Sequence, residues 1–171
     1  MGLSKEHYAS VKTRIKGHGR FCESVADQPL FRGFSGMHKH PAEDLDDSKV
    51  PEWLKVYVIE LDRKLDQLLG MQSKENLKDD FPIDLEVIEI SGNGMIFKTQ
   101  AEIDAHNIME AVIEIEQIPL RLAGAKGTIK NGRKEGTWVL RFENIREHDL
   151  ESIIQFVFSE QREHIRAEKL T

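Results

Sequence analysis

A change of hydrophobic period at Pro82 restricts the fold of this chain more than any other feature. Ahead of it, Pro51 opens a segment from Glu52 to about Met71 in which Leu54, Val58, Leu61, Leu65 and Leu68 follow at intervals of 4, 3, 4 and 3 residues. That spacing is the seam of a helix, entered through a proline where the first turn has no use for an N–H. Trp53, Tyr57 and Leu69 widen its apolar face. Behind Pro82 the repeat shortens to two: Ile83, Leu85 and Val87 alternate with Asp84, Glu86 and Ile88, and the run continues to Ile90. Such a repeat sends successive side chains to opposite faces of a strand. The spacing therefore predicts a helix followed by a sheet.

Turn signals divide the remainder into short strands. Ser91-Gly92-Asn93-Gly94 supplies the positive φ angles of a two-residue hairpin, and Met95, Ile96 and Phe97 begin the return strand. Val112 to Glu116 alternates again, Leu120 to Ile129 reads as a further strand, and Asn131-Gly132 turns the chain toward Thr137–Phe142. Short strands at regular intervals predict a closed antiparallel sheet. A last helix is expected from about Ile145 to Glu168. Asn144 and Glu147 stand at capping-box spacing, and Leu150, Ile153, Ile154, Val157, Phe158 and Ile165 lie on the buried face.

The first 50 residues are less patterned. Ser4 as N-cap, then Tyr8, Val11 and Ile15 on one face and Gly17 as a stop, predict a short helix from Met1 to about Lys16. No period holds from Gly17 to Val50, and the acidic run Glu43-Asp44-Leu45-Asp46-Asp47 points to a mobile arm. The expected organisation is residues 1–50 as N-terminal helix and arm, 51–79 as amphipathic or oligomerisation helix with linker, and 80–171 as barrel with closing helix. The helix at 52–71 has two readings. It either packs against a second copy through its seam or lies along its own barrel.

Composition removes several function classes. A net charge of −6 argues against DNA or RNA and against anionic lipid, both of which call for a basic surface. No run reaches the length of a membrane span, and the N-terminus lacks the apolar stretch of a signal peptide, so no membrane insertion is expected. Cys22 is the single cysteine, which excludes an internal disulfide and suits the cytoplasm. No nucleophile elbow, P-loop or dinucleotide fingerprint is present, and the carboxylates of Asp84-Leu85-Glu86 alternate as a solvated strand face does. An enzyme is not expected.

In order along the chain, four features resemble the PilZ domain family of bacterial cyclic di-GMP receptors and their relatives. Ser91-Gly92-Asn93-Gly94 matches the Ser-x-x-Gly part of that family's [Asp/Asn]-x-Ser-x-x-Gly motif. Ile118-Pro119 falls between the middle strands, Leu140-Arg141-Phe142 forms the late strand, and Ile153 to Glu163 carries Ile-x-x-Phe-x-x-x-x-Gln-Arg. The resemblance spans about residues 80 to 168. It implies a mainly β fold with flanking helices: a PilZ-like six-stranded antiparallel β-barrel with a C-terminal helix, preceded by the heptad-type helix.

Two departures bear on function. Ligand-binding relatives carry an Arg-x-x-x-Arg pair ahead of the first strand, because guanidinium forks match phosphate and guanine edges. Here Lys74 and Lys78 have the spacing without the fork, and Arg162 and Arg166 have both but sit in the last helix. Glu89 also stands where Asp or Asn is expected. The resemblance therefore implies a degenerate member, a non-catalytic adaptor in cyclic di-GMP-related regulation that works through a protein partner and self-association by Leu54, Val58, Leu61, Leu65 and Leu68. It requires no cofactor. The alternative is a working cyclic di-GMP receptor with a non-standard phosphate clamp. It would use Glu89, Ser91, Asn93 and Gly94 with basic residues drawn from Arg14, Arg20, Lys74 and Lys78. For the turn residues, a plain hairpin is the competing reading, and for the arm residues Arg14, Lys16 and Arg20, a solvated surface. A further alternative is a metal site built from His18, Cys22, His38 and His40, four nitrogen or sulfur donors in one region.

Overall fold

The computed structural model describes residues 8–31, 49–103, 107–117 and 120–170. Among them are six strands and two helices: β1 (Ser10–Phe21), α1 (Glu52–Asp80), β2 (Ile83–Ser91), β3 (Gly94–Lys98), β4 (Ile108–Gln117), β5 (Leu120–Asn131), β6 (Trp138–Ile145) and α2 (Glu147–Lys169). The strands close into an antiparallel barrel in the order β1-β2-β3-β6-β5-β4.

The N-terminal expectation is corrected here. From Ser10 onward the predicted helix is a strand, and it supplies the sixth stave of the barrel. Tyr8, Val11 and Ile15 fit a helical face, but the residues between them also alternate: Val11, Thr13, Ile15, Gly17 and Gly19 against Lys12, Arg14, Lys16, His18 and Arg20. Three β-branched residues and two glycines weight that ambiguity toward the strand. The barrel is thus not confined to residues 80–171, and α1 is an insertion between two strands that are neighbours in the sheet. Residues 1–7 of the predicted helix, and residues 32–48 of the predicted arm, lie outside the described residues. The described part of the arm runs along the barrel: Lys126 Nζ donates to the Asp27 carbonyl at 2.9 Å, Asn144 Nδ2 to the Val25 carbonyl at 2.9 Å, and Phe31 N–H to Glu110 Oε1 at 2.9 Å.

Val87, Ile90, Phe97, Met109, Ala111, Ile113, Ala123 and Leu140 fill the barrel, and Ile153 and Val157 of α2 enter the same core. That helix crosses β1, β2, β4 and β5 and covers the apolar interior. The predicted Asn144–Glu147 capping box does not form: Arg146 is the N-cap residue, without a side-chain cap bond, and Asn144 belongs to β6. Gly127, at a bulge between β5 and β6, is fixed by backbone proximity, since a Cβ there would fall 1.7 Å from the Arg141 carbonyl oxygen.

Asp149 in the first turn of α2 is buried and receives Arg146 Nε at 2.8 Å and Nη2 at 2.7 Å. Burial pushes its carboxyl above the ordinary 3.8, outweighing the pull of Arg146, His148 and the Gly124 N–H. The folded state then holds this proton to higher pH than the unfolded chain does. Its contribution to stability is therefore fully present below 3.8 and is lost as pH rises through the folded pKa. Urea unfolding of Asp149→Asn beside the parent should show the parent losing ground to the variant across that window. A difference that stays flat or grows with pH would contradict burial as the dominant cause.

Candidate functional site

The β2–β3 hairpin builds one end of the candidate site. Ser91 pairs with Gly94 across the turn, and the buried Ser91 hydroxyl is shared between Asn93 Oδ1 and the Gly94 carbonyl, the latter at 3.1 Å. Phe142 N–H donates to the Asn93 carbonyl at 2.9 Å and ties the turn to β6. Gly92 lies under the Tyr8 ring, where a Cβ would sit 2.5 Å from Tyr8 Cδ1. The Ser91 hydroxyl is thus engaged in the turn itself, while the Asn93 side chain reaches the surface.

Beside this turn the outer barrel wall holds an open groove of about 640 Å³. Glu89, Ser91, Asn93 and Gly94 line it, together with Tyr8, Lys130 and Arg141 over a floor of Ile96 and Val139. Strand register explains the grouping: Gly94 pairs with Arg141 across β3–β6, and Lys130 with Val139 across β5–β6. The groove therefore offers two exposed cations, one carboxylate, an amide and an aromatic ring. An anionic ligand that also offers hydrogen-bonding groups or a ring face is the class such a set can hold.

The basic residues expected from the sequence lie elsewhere. Ser10 stands opposite Ser91, and β1 runs away from the turn at about 3.3 Å per residue. Arg14 is about 13 Å farther along, and Arg20 about 33 Å. Arg14 Nε pairs with Glu86 Oε1 at 2.9 Å on the surface. Arg20 places Nε and Nη2 at 2.8 and 2.7 Å from Oε2 of buried Glu110, and its guanidinium lies 5.9 Å from the Phe81 ring centre. Lys78 borders a different cavity, with Arg14, Lys16 and Asp84. The Lys74 side chain lies outside the described residues, as do His38, His40 and Ile118-Pro119. No arginine occurs ahead of β1, from Met1 to Ala9. Lys130 and Arg141, the cations that do reach the groove, escaped the sequence reading because only the β3–β6–β5 register brings them to the hairpin.

Of the four metal-ligand candidates, only His18 and Cys22 fall among the described residues. His18 and Cys22 are four residues apart on extended chain, about 13 Å, which is too far for one ion. His18 Nε2 meets Glu114 Oε1 at 2.9 Å instead. No group of three or more His, Cys, Asp or Glu suited to a metal occurs among the described residues.

The second candidate element is α1. Its C-terminal end is rooted in the barrel by Leu77 and Phe81 on Val112, with Phe31 and Leu122 beside them. Toward the N-terminus the helix exposes its apolar residues: Val58, Leu61, Leu65 and Leu68 of the seam, and Trp53, Val56, Tyr57 and Ile59 besides. Leu54 is half-buried. The seam is not laid down on its own barrel. No described helix is long and apolar enough to cross a membrane.

A closed six-stranded barrel with a Ser-x-x-Gly hairpin at its rim and a helix covering the core is a PilZ-like domain. Solved structures agree on the fold. The chain is similar to a pathogenic protein of Xanthomonas campestris, described as a tetrameric PilZ domain self-assembled via a helical bundle, at 16% identity and a TM-score of 0.58 over 94% of this chain and 92% of that one. It is also similar to the Bacillus subtilis inhibitor of motility MotI/DgrA, at 9% identity and a TM-score of 0.50 over 94% of this chain. It spans about half of that second protein, 53% of its length. No family model and no curated protein matches the sequence.

Proposed function

We propose that this protein is a non-catalytic, cytoplasmic signalling adaptor of PilZ type in cyclic di-GMP-related regulation, working by self-association through α1 and by contact with a protein partner. The exposed apolar run on α1 carries the reading. A helix anchored at its C-terminal end, with its described N-terminal apolar residues exposed, has little support of its own there, since isolated helices are marginal in water. Full burial of a leucine is worth roughly 1.5–3 kcal/mol. Val58, Leu61, Leu65 and Leu68 are 38%, 47%, 50% and 63% exposed, so about half of that gain waits for a neighbour. Their heptad spacing suits the same seam on a second copy. The bundle-forming Xanthomonas protein supports the reading by analogy. The test is the solution mass by light scattering, for the parent and for seam variants.

The groove beside Ser91 favours a second reading, a cyclic di-GMP receptor whose phosphates meet Lys130 and Arg141 rather than an Arg-x-x-x-Arg pair. Calorimetry with cyclic di-GMP at low and physiological salt separates the two. The adaptor reading expects no heat at either salt from folded protein. Micromolar binding that weakens with salt, and about tenfold in Arg141→Ala, would establish the receptor instead.

A further inference from the structure

We infer that the cavity at the foot of α1 is a second binding site, distinct from the hairpin groove, for a phosphate-bearing anion. This cavity, about 650 Å³, lies along the middle of β1, from Arg14 to His18, away from the hairpin turn that Ser10 faces. Its walls come from β1 (Arg14, Lys16, His18), β2 (Asp84, Glu86), β4 (Glu114), Lys98 at the end of β3, and Lys78 in the last turn of α1. Its volume falls within the range of small-molecule sites.

His18 is the built element. It is 3% exposed, and its Nε2 lies 2.9 Å from an oxygen of Glu114, whose side chain is fully buried. A buried carboxylate takes a donor, so Nε2 carries the proton facing it. The other nitrogen, Nδ1, is buried and has no hydrogen-bond partner. The nearest acceptor is Asp84 Oδ1 at 3.4 Å, beyond ordinary hydrogen-bond length. With the proton on Nε2, Nδ1 presents a lone pair that accepts from an O–H of a ligand reaching the same wall.

The charges around it favour an anion. Four cations, Arg14, Lys16, Lys78 and Lys98, face three carboxylates, Asp84, Glu86 and Glu114. Arg14 is paired with Glu86 at 2.9 Å, which leaves three lysines against Asp84 and the Glu114 carboxylate that His18 meets. Lys16, Lys78 and Lys98 form no ion pair among the described residues. The negative end of α1, worth about half a charge, reduces this surplus of one without cancelling it. In a chain of net charge −6 that is a local reversal of sign. Because Lys78 belongs to α1, an anion held here ties the root of the helix to the barrel wall.

Histidine side-chain NMR with inorganic pyrophosphate tests the site, with sodium chloride at matched ionic strength as reference. The His18 ring nitrogens should shift saturably with pyrophosphate and not with chloride. Affinity should drop about tenfold in the double variant Lys16→Ala/Lys98→Ala, whose positions are solvent-exposed, and stay unchanged in Arg141→Ala. His18→Gln leaves Glu114 without its imidazole and endangers folding, so the lysine variants carry the test. An unmoved His18, a shift that chloride reproduces, or undiminished affinity in the double variant would overturn the proposal. Self-association is read separately from solution mass, so neither result decides the other.

Discussion

Replacing Leu61 and Leu65 by serine should yield a folded barrel that scatters light as a monomer. The two leucines are 47% and 50% exposed on the chain alone and stand next to each other along the seam. About half of each side chain is therefore left for a neighbour to cover, worth roughly 1 kcal/mol apiece. A paired seam contains four such leucines, so the variant gives up about 4 kcal/mol, or close to three decades in dissociation constant. The barrel should hardly respond, because its core is built by β1 to β6 and the Ile153–Val157 face of α2. The root of α1 at Leu77 and Phe81 is likewise untouched. Circular dichroism with an unchanged unfolding midpoint would confirm a folded variant. A mass equal to the parent's would remove the seam as the contact and leave α1 to another partner.

Legibility in the sequence followed the length of each repeat. The strands after Pro82 and the hairpin at Ser91–Gly94 could be read because alternation and turn chemistry are local properties. The helix at 52–71 could be read for the same reason, and the structure carries it on to Asp80. Residues 10–21 were misread because Tyr8, Val11 and Ile15 satisfy a helical face while the residues between them satisfy a strand. Only the need to close the barrel chooses between the two, and that is a tertiary demand. The site was half legible for a related reason. Glu89, Ser91, Asn93 and Gly94 are near neighbours in sequence, whereas Lys130 and Arg141 reach them only through strand pairing. Charge alone pointed to Arg14 and Arg20, but their partners, Glu86 and Glu110, are distant in sequence and could not be seen there.

Arg20→Ala is accordingly expected to act on stability rather than on ligand binding, and strongly. Glu110 is 1% exposed, and one of its oxygens takes both Arg20 donors while the other accepts the Phe31 N–H at 2.9 Å. Removing one partner of a buried pair strands the remaining charge and costs about 3–5 kcal/mol. The Arg20 side chain is 29% exposed, which lets water reach the gap and places the effect near the lower figure, about 3 kcal/mol. For a domain of this size that corresponds to a drop of roughly 6–12 °C in Tm. The guanidinium also lies against Phe81 at the root of α1, and Glu110 holds the arm at Phe31, so both features should loosen with it. Adding Glu110→Gln to Arg20→Ala removes the stranded charge and should recover a large part of the loss. Urea unfolding of the parent, both single variants and the double variant measures the coupling directly. A loss below about 1 kcal/mol for Arg20→Ala, the level of a solvated surface pair, would return Arg20 to the pool of residues free to hold a ligand.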